Sequence, residues 1–183
     1  MSLLLLLAGL ALWAGAHFFK RIAPDARAGM GMGGKGIVAL ALVGSIFLMA
    51  RGYGGMDSIT VWSPPSFLTG INNLLVLIAL YLFGAGSAKA SLTRNMRHPM
   101  LAGMKTWAIA HLLVNGDLAS IILFGGLLAW AVAEVIVINR SEPEWSPREG
   151  TSRAGDIKAL VIAIILMGVI GYIHGWIGPS PFG

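Results

Sequence analysis

The sequence predicts an all-α fold, a polytopic transmembrane bundle of about six helices. Three observations carry that prediction. Of 183 residues, 56% are hydrophobic and 11% are charged, whereas a soluble domain carries about 25% charged residues. Apolar runs approaching the ~20 residues needed to cross a bilayer recur along the chain. The basic residues fall almost entirely between alternate runs. So few charges leave almost no room for a soluble globular enzyme, and the apolar content excludes a disordered chain. The length suits a single domain over residues 1–183. There are no cysteines, which excludes disulfides, thiolate nucleophiles, iron–sulfur clusters and cysteine-ligated zinc or haem. A metal centre must draw on His, carboxylate or Met.

The first run, Leu3–Phe19, ends near Ala14-Gly15-Ala16, a sequence like a signal-peptidase site. No basic residue precedes the run, so it reads as a retained helix. Gly29 to Gly36 holds five glycines and reads as a flexible basic loop. The second run, Gly36–Ala50, is short. Trp62-Ser63-Pro64-Pro65 reads as a rigid turn whose Trp suits the headgroup region. Leu68–Ala88 is the third run, and Pro99–Val114 the fourth, again short. Leu118–Ile138 and Ile157–Ile177 complete the set. Glu142 to Asp156 is polar, with two prolines, and reads as the main water-exposed excursion.

Charge supports the count of six. Lys plus Arg is 13 against Asp plus Glu 8, a net charge of +5. In a chain this apolar that balance reads as basic cytoplasmic loops rather than nucleic-acid binding. Lys20, Arg21, Arg27 and Lys35 lie between runs one and two. Lys89, Arg94 and Arg97 lie between three and four, and Arg140, Arg148, Arg153 and Lys158 between or at the edges of five and six. The other side holds only Arg51, and Lys105 sits inside run four. The positive-inside rule then places both termini on the non-cytoplasmic side.

Asn115-Gly116-Asp117 separates runs four and five, enough for a tight antiparallel helix hairpin. Gly116 suits a left-handed helix end, and Asp117 can cap the next helix. Counting outward from Gly116, His98 lies eighteen positions before and Glu134 eighteen after. They should share one depth beside Arg97. An acid inside a spanning segment needs a partner, so Glu134 is expected to pair with Arg97 or His98. Arg97-His98-Pro99 reads as a helix entrance, because Pro is favoured at the first helical position.

Four histidines, His17, His98, His111 and His174, lie in or at the ends of apolar helices. Polar groups there need partners, and without Cys an imidazole is the natural ligand for haem iron. Bundles build cofactor sites from side chains on facing helices. His98 and His111 lie ~20 Å apart on one helix and cannot share an iron. If the fourth helix begins at Pro99, His111 is closest in depth to His174. If Lys105 marks the interface instead, Asn115-Gly116-Asp117 is a re-entrant turn and His111 approaches His17. The second arrangement is preferred, with Trp13 and Trp107 each four residues before its histidine. The alternative role for these histidines is hydrogen bonding between helices. Met100 and Met104 share a face of the fourth helix and read as packing residues able to abut a cofactor. The sequence has no phosphate-binding loop, no zinc-peptidase His-Glu-x-x-His and no Gly-x-Ser-x-Gly elbow.

Arg97-His98-Pro99, Trp107-Ala108-x-Ala110-His111-Leu112-Leu113, Asn115-Gly116-Asp117 and Ile122-Leu123-Phe124-Gly125 together resemble the NnrU family of membrane proteins, as do the early His17 and the late His174. The resemblance covers nearly the whole chain. It implies a protein associated with denitrification and nitric-oxide metabolism. It extends to the 15-cis-zeta-carotene isomerases, which bind haem b through histidine. On that resemblance the expected ligands of a haem b are His17 and His111, within a site set that also holds His98, His174, Arg97, Glu134, Asn115 and Asp117. The partners it implies are the lipid bilayer, an apolar polyene such as a carotenoid, or a membrane redox partner. Six helices also allow copies to share a site in a homo-oligomer. The Arg-His-Pro entrance and a following acid are also similar to isoprenylcysteine-type membrane methyltransferases, which would use Arg97, His98 and Glu134. A non-catalytic accessory subunit is the third reading.

Overall fold

A computed structural model describes residues 1–178 and 180–182. The described residues are helical throughout their length apart from turns and connecting loops. α1 is Ser2–Ile22, α2 the short Pro24–Gly29, α3 Gly33–Gly54, α4 Leu68–Ala85, α5 Pro99–Val114, α6 Leu118–Ser141 and α7 Arg153–Ile177. A single 3₁₀ turn, Ser91–Thr93, lies between α4 and α5.

α1, α3, α4, α6 and α7 are long and apolar enough to cross a membrane. α5, with 16 residues, rises about 24 Å and falls short of the bilayer core's ~30 Å. α3 has 22 residues and is longer than its apolar run, because Gly33-Gly34-Lys35 and Arg51-Gly52-Tyr53-Gly54 continue the helix beyond it. The expected flexible loop from Gly29 to Gly36 therefore shrinks to a turn around Met30–Met32. Arg27 crosses back over Gly34 there, where a Cβ would lie 2.5 Å from the guanidinium.

The helices pack in the lateral order α3, α1, α6, α5, α4, α7. Their large aliphatic side chains mostly face outward, as Leu40 does at 73% exposure, and apart from a few such as Leu6 and Leu127 many of the innermost positions are small. Ala79, Ala85, Ala108, Ala110, Ala131, Ala159 and Ala163 are all buried. That inversion of a soluble core is expected where lipid solvates the outside and close backbone approach drives helix association. α1 and α3 show it most clearly. Gly9 faces Met49 and Ser45, and Gly52 faces the backbone of Leu6, so that a Cβ on Gly52 would sit 2.4 Å from Leu6 N. Gly52→Ala is expected to push the two helices apart and cost about 2 kcal/mol, as overpacking does. Thermal unfolding in detergent checks it against Gly36→Ala, which meets nothing within 4 Å.

Tertiary contacts assign each helix terminus to one of two ends. At one end Gly55 abuts Ser2, and Tyr53 Oη lies 3.0 Å from Ser120 Oγ. The loop before α4 docks there on Asn115-Gly116-Asp117: Val61 N and Trp62 N both donate to Gly116 O, at 2.8 and 3.1 Å, and Leu118 N donates to Ile59 O at 2.8 Å. At the other end Arg21 meets Glu134 and Glu142, His98 meets Asn139, and Asp156 accepts from Tyr81 Oη at 2.7 Å and from Ser91 Oγ. The loops at this second end carry the basic residues, whose segregation the sequence predicts. The Glu142–Ser152 segment is largely exposed, as expected. It folds back on the loop between α4 and α5, with Arg148 N donating to Arg94 O at 3.2 Å and Ser152 N to Lys89 O at 3.0 Å.

Candidate functional site

The hairpin residues cap helices. Asp117 caps α6 as expected, its Oδ1 accepting from Ser120 N at 2.9 Å and its Oδ2 from Ser120 Oγ at 2.6 Å. Asn115 closes α5 by donating Nδ2–H to His111 O at 2.8 Å. Gly116 differs from expectation. Its φ is not positive; it is needed because a Cβ would lie 1.9 Å from Trp62 O.

His17 sits about one turn before Lys20 and Arg21 at the basic end of α1. Its Nδ1–H donates to Trp13 O at 2.9 Å, because a carbonyl can only accept. In the neutral ring Nε2 then carries the lone pair, the state in which imidazole binds a metal. The ring packs against Trp13 and Trp130, each with centroids 4.5 Å away, and the two indoles meet edge to face at 5.3 Å. His111 repeats the arrangement on α5. Its Nδ1–H donates to Trp107 O at 2.9 Å, and its ring lies against Trp107 and Phe124, at 4.6 and 4.5 Å.

These two histidines occupy separate cradles. Trp130 and Phe124 are six positions apart on α6, about 9 Å of rise. α5 begins at Pro99, with Lys105 inside the helix. His111 lies toward the end opposite the basic loops, within electrostatic reach of His174. Of the two arrangements open to the sequence, this is the one in which His111 keeps company with His174.

His17 instead lines a cavity of about 720 Å³ at the basic end, between α1, α4, α5 and α6. His98, Arg97, Arg148, Trp13, Trp130 and Glu134 line it too, with an apolar remainder that includes Leu82, Phe83, Met100, Leu101, Met104 and Ile138. Arg97, His98 and Glu134 thus share a site as the hairpin count implies, but their bonds differ from expectation. Glu134, 5% exposed, accepts at Oε1 from Arg21 Nη1 at 3.3 Å. Arg21 also reaches Glu142 Oε1 at 3.4 Å. His98 Nε2–H donates to Asn139 Oδ1 at 2.8 Å, and Arg97 donates to Glu142 O. His98 meets a residue five positions beyond Glu134 for a geometric reason. Helical side chains lean toward their own N-terminus, so those of antiparallel α5 and α6 lean in opposite directions.

Four buried polar atoms around this cavity have no partner among the described residues: Trp13 Nε1, Trp130 Nε1, Arg21 Nε and Glu134 Oε2. Elsewhere among the described residues, Asn72 Oδ1 is the one buried side-chain atom left without a partner. Such atoms cost free energy and are rare in folded proteins, so their clustering makes this wall the candidate site. The sequence reading placed Arg21 and Arg148 only as loop charges and did not single out Trp130 or Asn139. Arg21 and Trp130 had a signal in it, since Arg21 follows His17 by four and Trp130 precedes Glu134 by four, each pair on one helix face.

Among the described residues no three His, Asp or Glu side chains gather as a site for a bare metal ion.

Fold and site define a class: a multi-pass helical membrane protein with a histidine-lined, cation-rimmed cavity at its basic end. The model of the family described as NnrU protein matches residues 5–181. The chain belongs to the NnrU family. No curated protein and no solved structure matches it at a significant level.

Proposed function

We propose that this NnrU-family protein binds haem b in the cavity at the basic end, with His17 as the iron ligand. We place that end at the cytoplasmic face of a bacterial inner membrane and both termini on the far side. The observation that carries the reading is the Nδ1–H bond from His17 to Trp13 O, which in the neutral ring leaves Nε2 as the lone-pair nitrogen of a residue that lines a largely apolar cavity. His98, on the same wall, is the candidate second imidazole; its Nδ1 is the lone-pair nitrogen while Nε2–H serves Asn139.

Bound there, haem supplies one-electron chemistry and a coordination site for a diatomic ligand such as nitric oxide or for the π-system of a polyene. The protein's own residues do the rest. Trp13 and Trp130 fix the plane of the His17 ring. The apolar wall excludes water and suits a conjugated hydrocarbon entering from lipid. Arg21 holds the Glu134 carboxylate beside the site. These features fit a role linked to nitric oxide or to cis–trans isomerisation. A methyltransferase-like reading also draws support, because Arg97, His98 and Glu134 line one cavity, but that chemistry needs no chromophore.

An absorption spectrum separates the two. Natively purified protein is expected to show a Soret band that His17→Ala abolishes and His111→Ala leaves in place. Loss of the band in His111→Ala alone would return the iron to α5. Colourless protein that stays colourless after haem addition overturns haem binding altogether.

A further inference from the structure

We propose that Arg97 and Arg148 clamp a carboxylate carried on an apolar body, so that the cavity takes an acidic amphiphile with its head at the basic end. The two guanidinium groups reach one cavity from different segments. Each is positioned by backbone: Arg97 donates to Glu142 O, and Arg148 donates to Thr93 O at 3.5 Å while its own N–H is held by Arg94 O at 3.2 Å. Among the described residues neither meets a carboxylate. The acid that lines the cavity, Glu134, is paired with Arg21 instead.

A third source of positive potential adds to these. The N-terminus of α5 forms part of the cavity wall, and its first turn has neither a side-chain cap nor an acidic residue. Unpaired backbone N–H groups and the helix dipole there favour an anion. Two unneutralised guanidinium groups and a helix N-terminus therefore face a wall otherwise made of side chains such as Leu82, Phe83 and Met104. Both arginines are half-buried, so an anion between them would offset part of their desolvation. The fork of a guanidinium matches the flat carboxylate in particular. About 720 Å³ is room for a ligand of a few tens of atoms. Two sources carry this chemistry, the acidic side chains of a porphyrin and the carboxylate of a fatty acid. The clamp shares its cavity with the proposed haem but does not rest on iron ligation by His17.

The test uses the purified full-length chain in detergent and metal-free protoporphyrin IX, which has the acids but no iron. Binding is read as quenching of tryptophan fluorescence, since Trp13 and Trp130 line the cavity. The free diacid is expected to bind at least about tenfold tighter than its dimethyl ester, the scale of one charge-assisted hydrogen bond. That preference should vanish in the Arg97→Gln/Arg148→Gln variant and survive in Arg51→Gln, which removes an exposed arginine near the other end of the bundle. Equal binding of diacid and ester, no binding of either, or a preference that survives both arginine substitutions overturns the clamp. Should the arginine variant fail to fold, the diacid–ester comparison on the unaltered chain decides alone. Palmitate that displaces the diacid supports a fatty-acyl source, and palmitate that does not supports the porphyrin acids. Haem dimethyl ester, which keeps the iron and lacks the acids, reports on His17 separately.

Discussion

Gly116→Ala is expected to destabilise the protein by about 3 kcal/mol, more than any other single added methyl. A Cβ at this position would lie 1.9 Å from Trp62 O and 2.8 Å from Trp62 C. Both are backbone atoms, so no side chain can swing away. Relief requires the loop before α4 to part from the α5–α6 hairpin. That breaks three backbone hydrogen bonds, from Val61 N and Trp62 N to Gly116 O and from Leu118 N to Ile59 O, each contributing about 1 kcal/mol. Gly125→Ala is the control, since a Cβ there meets nothing within 4 Å and Ala favours the helix by up to about 1 kcal/mol. Melting in detergent should separate the two variants clearly. Coincident melting curves would show that this contact does not hold the hairpin.

Glu134→Gln is expected to have the second large effect, also about 3 kcal/mol, because removing one partner of a buried ion pair leaves the other uncompensated. Arg21 keeps a contact with Glu142, but that carboxylate is mostly solvated and such exposed pairs contribute little. The informative comparison is a double-mutant cycle. Arg21→Met combined with Glu134→Leu removes both charges and should recover most of the lost stability. A double variant that falls by the sum of the two single losses would mean the residues act independently.

Much of this could be read along the chain. Six apolar segments, the polar excursion, the hairpin and the Asp117 cap all follow from hydropathy and from side chains that bond their own neighbours. The meeting of Arg97, His98 and Glu134 around one cavity followed from counting outward along a hairpin. Other features could not be read so. Arg21 as the partner of Glu134 required knowing that α1 packs beside α6, more than a hundred residues away in sequence. The preference for His17 and His111 at one depth rested on Lys105 as an interface marker, whereas the bundle sets one ring against Trp130 and the other against Phe124. Gly116 looked conformational and is steric, because its neighbour Trp62 arrives from a loop some fifty residues earlier.

The amino-acid order alone was enough to establish that the chain is helical, that it belongs in a membrane, and which segment ends share a side. Those properties arise from each segment's own transfer from water to lipid and from the charge of its flanks, and neither depends on which helix lies alongside. Lateral neighbours depend on something else. Lipid solvates every apolar helix face about equally well, so pairing rests on small residues that let backbones touch and on rare polar groups that need one another. Only the packed bundle shows that Arg21 answers Glu134 and that His17 and His111 lie in different cradles.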